Sequence, residues 1–121
     1  MGVTQAIGAA GEKIAEEWLD REGFTVVARN WRSGKYELDI VAHRGDTIHF
    51  VEVKTRDADS WESPEESLTP AKQRAFRHAV QAWLASNPTP LEPQLDLIAI
   101  DTGPDGILDL RYIPEAVISR W

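Results

Sequence analysis

The residues of this chain best suited to chemistry are two acids and a lysine in neighbouring apolar segments. Asp39 lies in ELDIVAH (residues 37–43), and Glu52 and Lys54 lie in TIHFVEVKT (residues 47–55). Two carboxylates held close together repel each other unless a cation lies between them, and Mg²⁺ prefers oxygen ligands. A lysine beside such an ion can orient an attacking water or neutralise a phosphate. These residue types favour metal-assisted hydrolysis of a phosphate ester, provided that the fold brings them together.

The two segments are predicted to be antiparallel strands of one hairpin. Gly45-Asp46 between them is a typical two-residue turn. Counting back from this turn places Asp39 directly opposite Glu52, and Glu37 opposite Lys54. Side chains that are directly opposed have Cβ atoms roughly 4.5–5.5 Å apart. We therefore expect the carboxylates of Asp39 and Glu52 to lie close enough to share one cation.

Glu12 is a third candidate acid, because it lies within the apolar stripe of a predicted helix rather than opposite it. A carboxylate there would point toward the core or the edge of the sheet. The alternative is structural: Glu12 would be a half-buried border residue, and Asp39, Glu52 and Lys54 would form an ion-paired sheet surface. The coincidence of the acid pair, the lysine and the hairpin register favours the metal site.

Other catalytic patterns are weak or absent from the sequence. The chain has no Cys, its three His residues lack metal-ligand spacing, and no glycine-rich phosphate loop is present. His49 is predicted to be a strand-face residue and His78 a helix-surface residue. Trp61, in an acidic segment, is the one tryptophan that packing does not readily explain, and it could stack on a ligand or contact a partner.

The elements that must position these residues follow from hydrophobic periodicity and from turn and capping residues. They predict one α/β domain with a mixed sheet. The first helix has an apolar stripe that includes Ile7, Gly8 and Gly11. The predicted order is a helix over about Thr4–Glu22, strands over Phe24–Trp31, Glu37–His43 and Thr47–Thr55, a mobile loop over Arg56–Leu68, a helix capped by Thr69 that Pro70 opens and Asn87-Pro88 ends, a buried strand over Leu95–Ile100, an edge strand over Leu108–Ile113 and a helical turn over Pro114–Ser119.

Composition limits the class of protein. The formal net charge of −7, from 13 basic and 20 acidic residues, argues against a protein that coats nucleic acid non-specifically. Charge is uneven, however: residues 57–66 contain acids and no base, and residues 71–87 contain bases and no acid. Both segments could simply be solvated faces. The lack of Cys, of a signal-peptide pattern and of any run of about 18 apolar residues predicts a cytoplasmic protein without a membrane span.

Several short motifs follow one another along the chain. They are G-x-x-G-E at Gly8–Glu12, N-W-R at Asn30–Arg32, E-L-D-I-V-A at Glu37–Ala42, F-V-E-V-K-T-R at Phe50–Arg56, and Lys72 early in the second helix. In this order they resemble the YraN family of small bacterial proteins, over a region from about Gly8 to Ile113. The family is related to the PD-(D/E)XK nuclease superfamily, especially to archaeal Holliday-junction resolvases. The resemblance therefore implies a restriction-endonuclease-like αβββαβ fold with a mixed central sheet flanked by helices.

The resemblance also implies roles for individual residues. Asp39 is similar to the metal-binding Asp of the superfamily, Glu52 to its second acid and Lys54 to its catalytic lysine. Glu12 is similar to the helix Glu that completes the site in resolvase-like members. Asp39, Glu52, Glu12 and the backbone carbonyl of Val53 would hold Mg²⁺ or Mn²⁺, with no small-molecule cofactor. The sequence departs from the family where two residues, rather than none, separate a glycine from the E-L-D triplet.

The implied activity is hydrolysis of phosphodiester bonds in DNA, including branched or Holliday-junction-like DNA. Resolvase-like relatives act as dimers, so the resemblance also implies a homodimer. The alternative is a non-catalytic module that binds nucleic acid or protein on a nuclease-like scaffold, which the net charge and the acidic segment favour. A purely structural domain is a third possibility. Basic side chains near the positive N-terminal end of the second helix would bind phosphates, namely Arg32, Arg56, Lys72, Arg74 and Arg77.

Overall fold

A five-stranded mixed sheet with helices packed on both faces forms the part of the chain that the computed structural model describes. That part is residues 2–119, with side chains for residues 10–107 and 109–119. The predicted stripe positions Ile7 and Gly8 lie outside the described side chains. The elements are α1 (Gly2–Arg21), β1 (Thr25–Ser33), β2 (Tyr36–Arg44), β3 (Thr47–Asp57), a 3₁₀ turn (Glu65–Ser67), α2 (Pro70–Ser86), β4 (Glu92–Gly103) and β5 (Gly106–Val117).

The strands lie in the sheet in their sequence order, β1 to β5. The β3–β4 pair is parallel, and the other neighbouring pairs are antiparallel. A parallel pair needs a long crossover connection, which α2 supplies between β3 and β4. The α/β fold with a mixed sheet flanked by helices is confirmed, and β5 extends the αβββαβ order as an edge strand.

Each helix covers one apolar face of the sheet, because successive strand residues point to opposite faces. On the α2 face, Trp83 meets Phe50 edge-on with ring centroids 5.6 Å apart. On the α1 face, Leu19 belongs to a second buried cluster that includes Val51. The β4 strand lies under both helices, and its residues 95–100 are all buried. This confirms the prediction that the apolar run LDLIAI is a strand buried on both faces.

The second helix begins and ends as its sequence predicts. Thr69 precedes the helix, and its side-chain oxygen accepts a hydrogen bond from the Lys72 N–H at 3.2 Å. Pro70 occupies the first helical position, where a missing N–H costs nothing. Asn87 follows the last helical residue, before Pro88. This capping fixes the residue at which α2 begins, and so it places Lys72 in the first turn of the helix.

Two of the predicted elements are wrong. The segment Pro114–Ser119 is not a helical turn, because β5 continues to Val117 and Glu115 adopts a left-handed φ of 52°. A buried carboxylate accepts the Glu115 N–H and so holds this irregular strand against β4. The segment Arg56–Leu68 is not wholly a loop either. Strand β3 continues to Asp57, and the 3₁₀ turn that follows ends in a buried serine and leucine.

The predicted hairpin register is confirmed where β2 and β3 pair. The ladder runs from Arg44–Thr47 at the turn to Ile40–Val51, and Gly45 has the positive φ of 58° that the tight turn requires. The ladder ends there. The predicted pairs Asp39–Glu52 and Glu37–Lys54 are the next positions in the same register, beyond the last paired residues.

Candidate active site

Asp39 lies at a kink that β1 and β2 share. The ladder between these strands continues on both sides of Asn30 and Asp39 but omits them. Asn30 has a φ of 49°, in the left-handed region that asparagine enters more readily than most residues. Leu38 and Val41 are three residues apart, yet both belong to the core cluster under α2. Regular alternation would place them on opposite faces, so the kink changes the direction in which Asp39 points.

Beyond the end of the β2–β3 ladder, the Asp39 carboxylate replaces a backbone carbonyl of β2 as the hydrogen-bond acceptor for β3. Its Oδ2 accepts a hydrogen bond from the Val53 N–H at 2.8 Å. The N–H and C=O groups of one strand residue point to the same side. The Val53 carbonyl therefore faces the same side as its N–H, toward Asp39. The Asp39 carboxylate and the Val53 carbonyl oxygen therefore lie on the facing sides of β2 and β3, just beyond the end of their ladder.

Glu52 and Lys54 lie two residues apart on β3 and line one cleft of about 300 Å³ under the first turn of α2, as their alternation predicts. Lys72 of α2 lines the same cleft. Asp39 lines a different cavity, of about 180 Å³, together with Glu12 of α1. The structure therefore divides the catalytic candidates between two cavities that share no lining residue, rather than placing them in one pocket.

Glu12 lines the Asp39 cavity, next to the point where α1 approaches β3 closely at Gly11. A Cβ at Gly11 would lie 2.6 Å from the Thr55 hydroxyl oxygen, so any other residue would require the Thr55 side chain or the helix to shift. Even so, the described side chains include no group of three or more His, Cys, Asp or Glu that could hold a metal ion. The predicted three-carboxylate arrangement of Glu12, Asp39 and Glu52 is therefore not assembled.

Burial makes Glu52 an unusually weak acid. The pKa of Glu52 is raised to about 8, mainly by loss of hydration and in addition by the negative charges of Asp39 and Glu37. The ammonium groups of Lys72 and Lys54 act in the opposite direction but do not compensate for burial. At neutral pH the site thus holds a carboxyl group that gives up its proton only when more positive charge approaches.

Asp39 is affected by the same surroundings to a smaller degree. The pKa of Asp39 is raised to about 6, mainly by burial and in addition by the carboxylates of Glu12 and Glu37. The hydrogen bond from Val53 acts in the opposite direction, because it favours the charged form. The crowding of negative charge around Asp39 and Glu52 is the feature that a bound cation would relieve.

The donor atoms of this acid pair fit a hard divalent ion. Asp39 and Glu52 offer carboxylate oxygens, and the Val53 carbonyl offers a third oxygen. Mg²⁺ is usually bound through one or two carboxylates and keeps several waters. Mn²⁺ suits the same oxygen ligands. A group of three acidic side chains is therefore not required for such an ion.

We expect the metal-free protein to lose stability as pH rises from the ordinary pKa of Glu52 to its pKa in the folded chain. The pKa of Glu52 is about 8 in the folded chain against an ordinary value of 4.5. The folded state therefore holds a proton that the unfolded state releases, and stability falls between these two pH values. The Glu52→Gln variant lacks this titration. It should be more stable than the original protein by on the order of 3 kcal/mol at about pH 8.5, and nearly equal to it at about pH 4.5.

Urea denaturation in chelator at the two pH values measures this difference. Glu37→Gln is the matched control, because it removes a neighbouring acid whose side chain is 66% exposed. A stability difference between the Glu52→Gln variant and the original protein that does not change with pH would contradict the prediction.

The predicted phosphate-binding residues are spread over the molecule. Lys72 lies in the cleft with Glu52, and Arg74 is exposed on α2. Arg32 forms an exposed ion pair with Glu37 at 3.3 Å. Lys72 is therefore the member of this predicted set that the structure brings beside the acids.

Arg56 and Arg77 are engaged elsewhere, which does not support their predicted role. Arg56 Nε donates to Asp101 Oδ1 at 3.1 Å, and both side chains are 14% exposed. Arg77 Nε donates to the Ile118 carbonyl at 3.0 Å, beside the end of β5. These guanidinium groups hold segments of the fold together. Each of these contacts uses the Nε atom, so it fixes the position of the guanidinium group away from the acid pair.

A buried polar network on the α1 face of the sheet was not predicted from the sequence. Asp96 is fully buried and accepts four hydrogen bonds, and one of its donors is His49, which is also buried. His49 is thus an interior residue rather than an ordinary strand-face residue. An Asp inside the apolar run 95–100 was the available signal, because a buried carboxylate needs partners. The four donors are His49 Nδ1 (2.7 Å), the Tyr112 hydroxyl (2.7 Å), Gln94 Nε2 (2.9 Å) and the Glu115 N–H (2.9 Å).

Two further features concern the surface of the molecule and its helices. Trp61 is fully exposed in the acidic segment, as expected for a tryptophan outside the core. Within the described residues, no helix is long and apolar enough to cross a membrane.

Comparison with known proteins identifies the family. The model of Uncharacterised protein family UPF0102 matches residues 11–100. A UPF0102 protein of Beutenbergia cavernae is 43% identical over 101 residues, which cover 83% of this chain and 86% of the relative. A UPF0102 protein of Symbiobacterium thermophilum is 38% identical over 117 residues, covering 94% and 98%. A longer relative from Oleidesulfovibrio alaskensis is 46% identical over 98 residues, covering 80% of this chain and 48% of that protein. The chain therefore belongs to the UPF0102 family, the YraN family that its motifs resemble.

Proposed function

We propose that this protein is a metal-dependent endonuclease that hydrolyses phosphodiester bonds in DNA. One observation carries the proposal: Asp39 and Glu52 are crowded acids whose pKa values rise to about 6 and about 8, and Lys54 shares a cleft with Glu52. Such a group is unfavourable in the absence of a cation. With a cation it has the residue types that phosphodiester hydrolysis needs.

Each residue has a distinct task in this proposal. Asp39, Glu52 and the Val53 carbonyl would hold Mg²⁺ or Mn²⁺, which supplies charge stabilisation and activates water. Lys54 orients the attacking water or stabilises the charge that develops on the phosphate. Lys72 binds a neighbouring phosphate at the N-terminal end of α2, where the free N–H groups favour anions. Glu12 bounds the Asp39 cavity and would act on the metal through water.

The activity is tested with purified protein on branched, nicked, single-stranded and duplex DNA, with about 5 mM Mn²⁺ or with chelator. We expect strand cleavage that depends on the metal and that is lost in Glu52→Gln. Similarity to junction resolvases is the reason to include branched DNA. Complete absence of cleavage on every substrate with Mn²⁺ present would contradict the catalytic form of the proposal.

Metal binding has its own test, which does not depend on activity. Without metal, Asp39→Asn should stabilise the fold by about 1 kcal/mol, because it removes a charge that burial and the neighbouring acids disfavour, and it retains an acceptor for the Val53 N–H. The same change should abolish the rise in melting temperature that Mn²⁺ gives the original protein, a rise that grows with metal concentration by mass action. Thermal melts of both proteins in chelator and in millimolar Mn²⁺ measure this. Equal melting temperatures with and without metal in the original protein would refute the metal site.

The second candidate function is a non-catalytic module that binds protein or nucleic acid. The net charge of −7 and the fully exposed Trp61 in an acidic segment favour it. It predicts no effect of divalent ions on the melting temperature. It also predicts that partner binding is lost in Trp61→Ala and retained in Glu52→Gln.

A further inference from the structure

The cleft that Glu52 and Lys54 line combines positive charge with an apolar wall. Three lysines (Lys35, Lys54 and Lys72) and two acids (Glu37 and Glu52) line its cavity of about 300 Å³, together with Tyr36, Leu68 and Phe76. Leu68 and Phe76 are core residues whose edges reach the cleft. A phosphate alone needs no apolar wall, whereas a nucleotide presents both a phosphate and an aromatic base.

The volume of this cleft limits how much nucleic acid can enter it. About 300 Å³ is at the small end of ligand pockets, a size that suits one small molecule. Bases stacked in a duplex present only their edges in the grooves. They therefore cannot lay a face against a wall inside such a cleft, whereas an unpaired base can.

The distribution of basic side chains also favours the binding of only a few nucleotides. The three cleft lysines take part in none of the ion pairs found among the described residues, whereas Arg32, Arg56 and two other arginines do. The whole chain has a net charge of −7, so the residues outside the cleft are acidic on balance. A duplex-binding surface tracks a long row of phosphates, and such a row would meet more acids than bases here. Three lysines can serve two or three phosphates on either side of one nucleotide.

Tyr36 is placed to contact a base. It directly follows the turn between β1 and β2, and it is only half-buried. The Lys35 ammonium lies 5.6 Å from the centre of its ring, and the His78 ring meets it edge-on at 6.0 Å. An aromatic ring beside lysines is the usual combination in sites that bind single strands by stacking.

We propose that this cleft takes an unpaired nucleotide of single-stranded DNA, with its base against Tyr36 and its flanking phosphates on Lys35, Lys54 and Lys72. The inference rests on the proposed nuclease site, since it names the form of DNA that reaches the same cleft. Duplex DNA is then a substrate only where it carries a gap, a flap or a frayed end.

Binding is measured by fluorescence anisotropy in chelator, with a labelled oligonucleotide as a single strand and as a blunt duplex. We expect the single strand to bind at least about ten times more tightly. Its affinity should fall with salt with a logarithmic slope of about −2, which corresponds to three phosphate contacts. Lys72→Ala should reduce that slope by about 0.7. A duplex that binds as tightly as the single strand would overturn the inference.

Tyr36 provides the second test. Loss of one base stack should weaken single-strand binding by about 5- to 100-fold in Tyr36→Ala. Tyr36→Phe keeps the ring and should bind within about twofold of the original protein. Val27→Ala is the control, because it removes apolar side-chain surface that is exposed outside the cleft. Equal affinity of Tyr36→Ala and the original protein would refute the role of the ring, and the salt slope remains a separate test if this variant folds poorly.

Failure of this inference and failure of the nuclease proposal give different results. Metal-dependent cleavage together with equal binding of duplex and single strand would support the nuclease proposal and refute the proposed nucleotide cleft. Single-strand binding that depends on Tyr36, without cleavage in Mn²⁺, removes the catalytic proposal and leaves the cleft as a binding site.

Discussion

Replacing Lys54 with methionine should lower the rate of metal-dependent DNA cleavage by about 100- to 1000-fold. Lys54 lies two residues beyond Glu52 on the same face of β3, and its ammonium is close enough to affect the pKa of Glu52. Removing one preorganised group that stabilises transition-state charge has an effect of this size. Methionine keeps most of the side-chain volume, so the fold and the cleft should survive.

Two readouts separate this catalytic role from a structural one. The rise in melting temperature with Mn²⁺ should persist in Lys54→Met, because Lys54 is not among the oxygen ligands. The cleavage rate per bound substrate should fall even at saturating DNA. Arg21→Met is the control for the loss of one positive charge, since Arg21 lies in the last turn of α1. Cleavage by Lys54→Met within about tenfold of the original rate would contradict the assignment.

Replacing Asp96 with asparagine should lower the free energy of unfolding by about 3 kcal/mol at neutral pH. Asp96 Oδ2 accepts from His49 and Tyr112, and Oδ1 accepts from Gln94 and the Glu115 N–H. Asparagine can offer only one oxygen, so its amide group would face donors that have lost their acceptor. Breaking a buried charged network in this way typically costs several kcal/mol.

The dependence of this effect on pH follows from the pKa of Asp96. Burial opposes ionisation, but the hydrogen bonds from His49, Glu115, Tyr112 and Gln94 outweigh it and hold the pKa of Asp96 below its ordinary value. The charged form therefore contributes stability above the pKa of an unfolded Asp, and this contribution is lost as pH falls through the folded value. The deficit of Asp96→Asn should accordingly shrink in acid.

Urea denaturation at about pH 7 and about pH 3 measures both effects. Asp109→Asn is a suitable control, because Asp109 is an exposed acid on β5 and its replacement should change stability by less than about 0.5 kcal/mol. The Asp96→Asn protein that remains folded should still cleave DNA with Mn²⁺, since the network contributes no residue to the cleft. A loss of stability below about 1 kcal/mol would mean that the network is not a major support of β5.

The two acidic centres of this fold are opposite in character, and the contrast is instructive. Asp96 is deeply buried, but four donors surround it, so its charge is stable. Asp39 and Glu52 also lose hydration through burial, but few donors compensate for that loss and other acids lie nearby, so their charges are not stable. Stability and function therefore pull in different directions at Asp39 and Glu52. This is the physical reason to expect a ligand at the second centre and not at the first.

The sequence by itself determined most of the fold and the identity of the central candidates. Alternation of apolar residues and the Gly45-Asp46 turn specify the β2–β3 register, because a slip by one residue would turn the apolar face to solvent. Thr69 and Pro70 specify the start of α2. The same alternation places Glu52 and Lys54 on one face of β3. These features depend on residues close together in the chain, so local pattern is sufficient to predict them.

Only the tertiary structure decided what depends on distant residues. Three features of the site depend on residues of separate strands. They are the kink at Asn30 and Asp39, the end of the β2–β3 ladder before Glu52, and the ion pair between Arg56 and Asp101. Whether a basic side chain is available for a phosphate depends on which acid the fold brings beside it. Spacing along one strand carries no information about that partner. The pKa values of Asp39 and Glu52 have the same origin, because burial and neighbouring charge are set by the packing of α1, α2 and the sheet together.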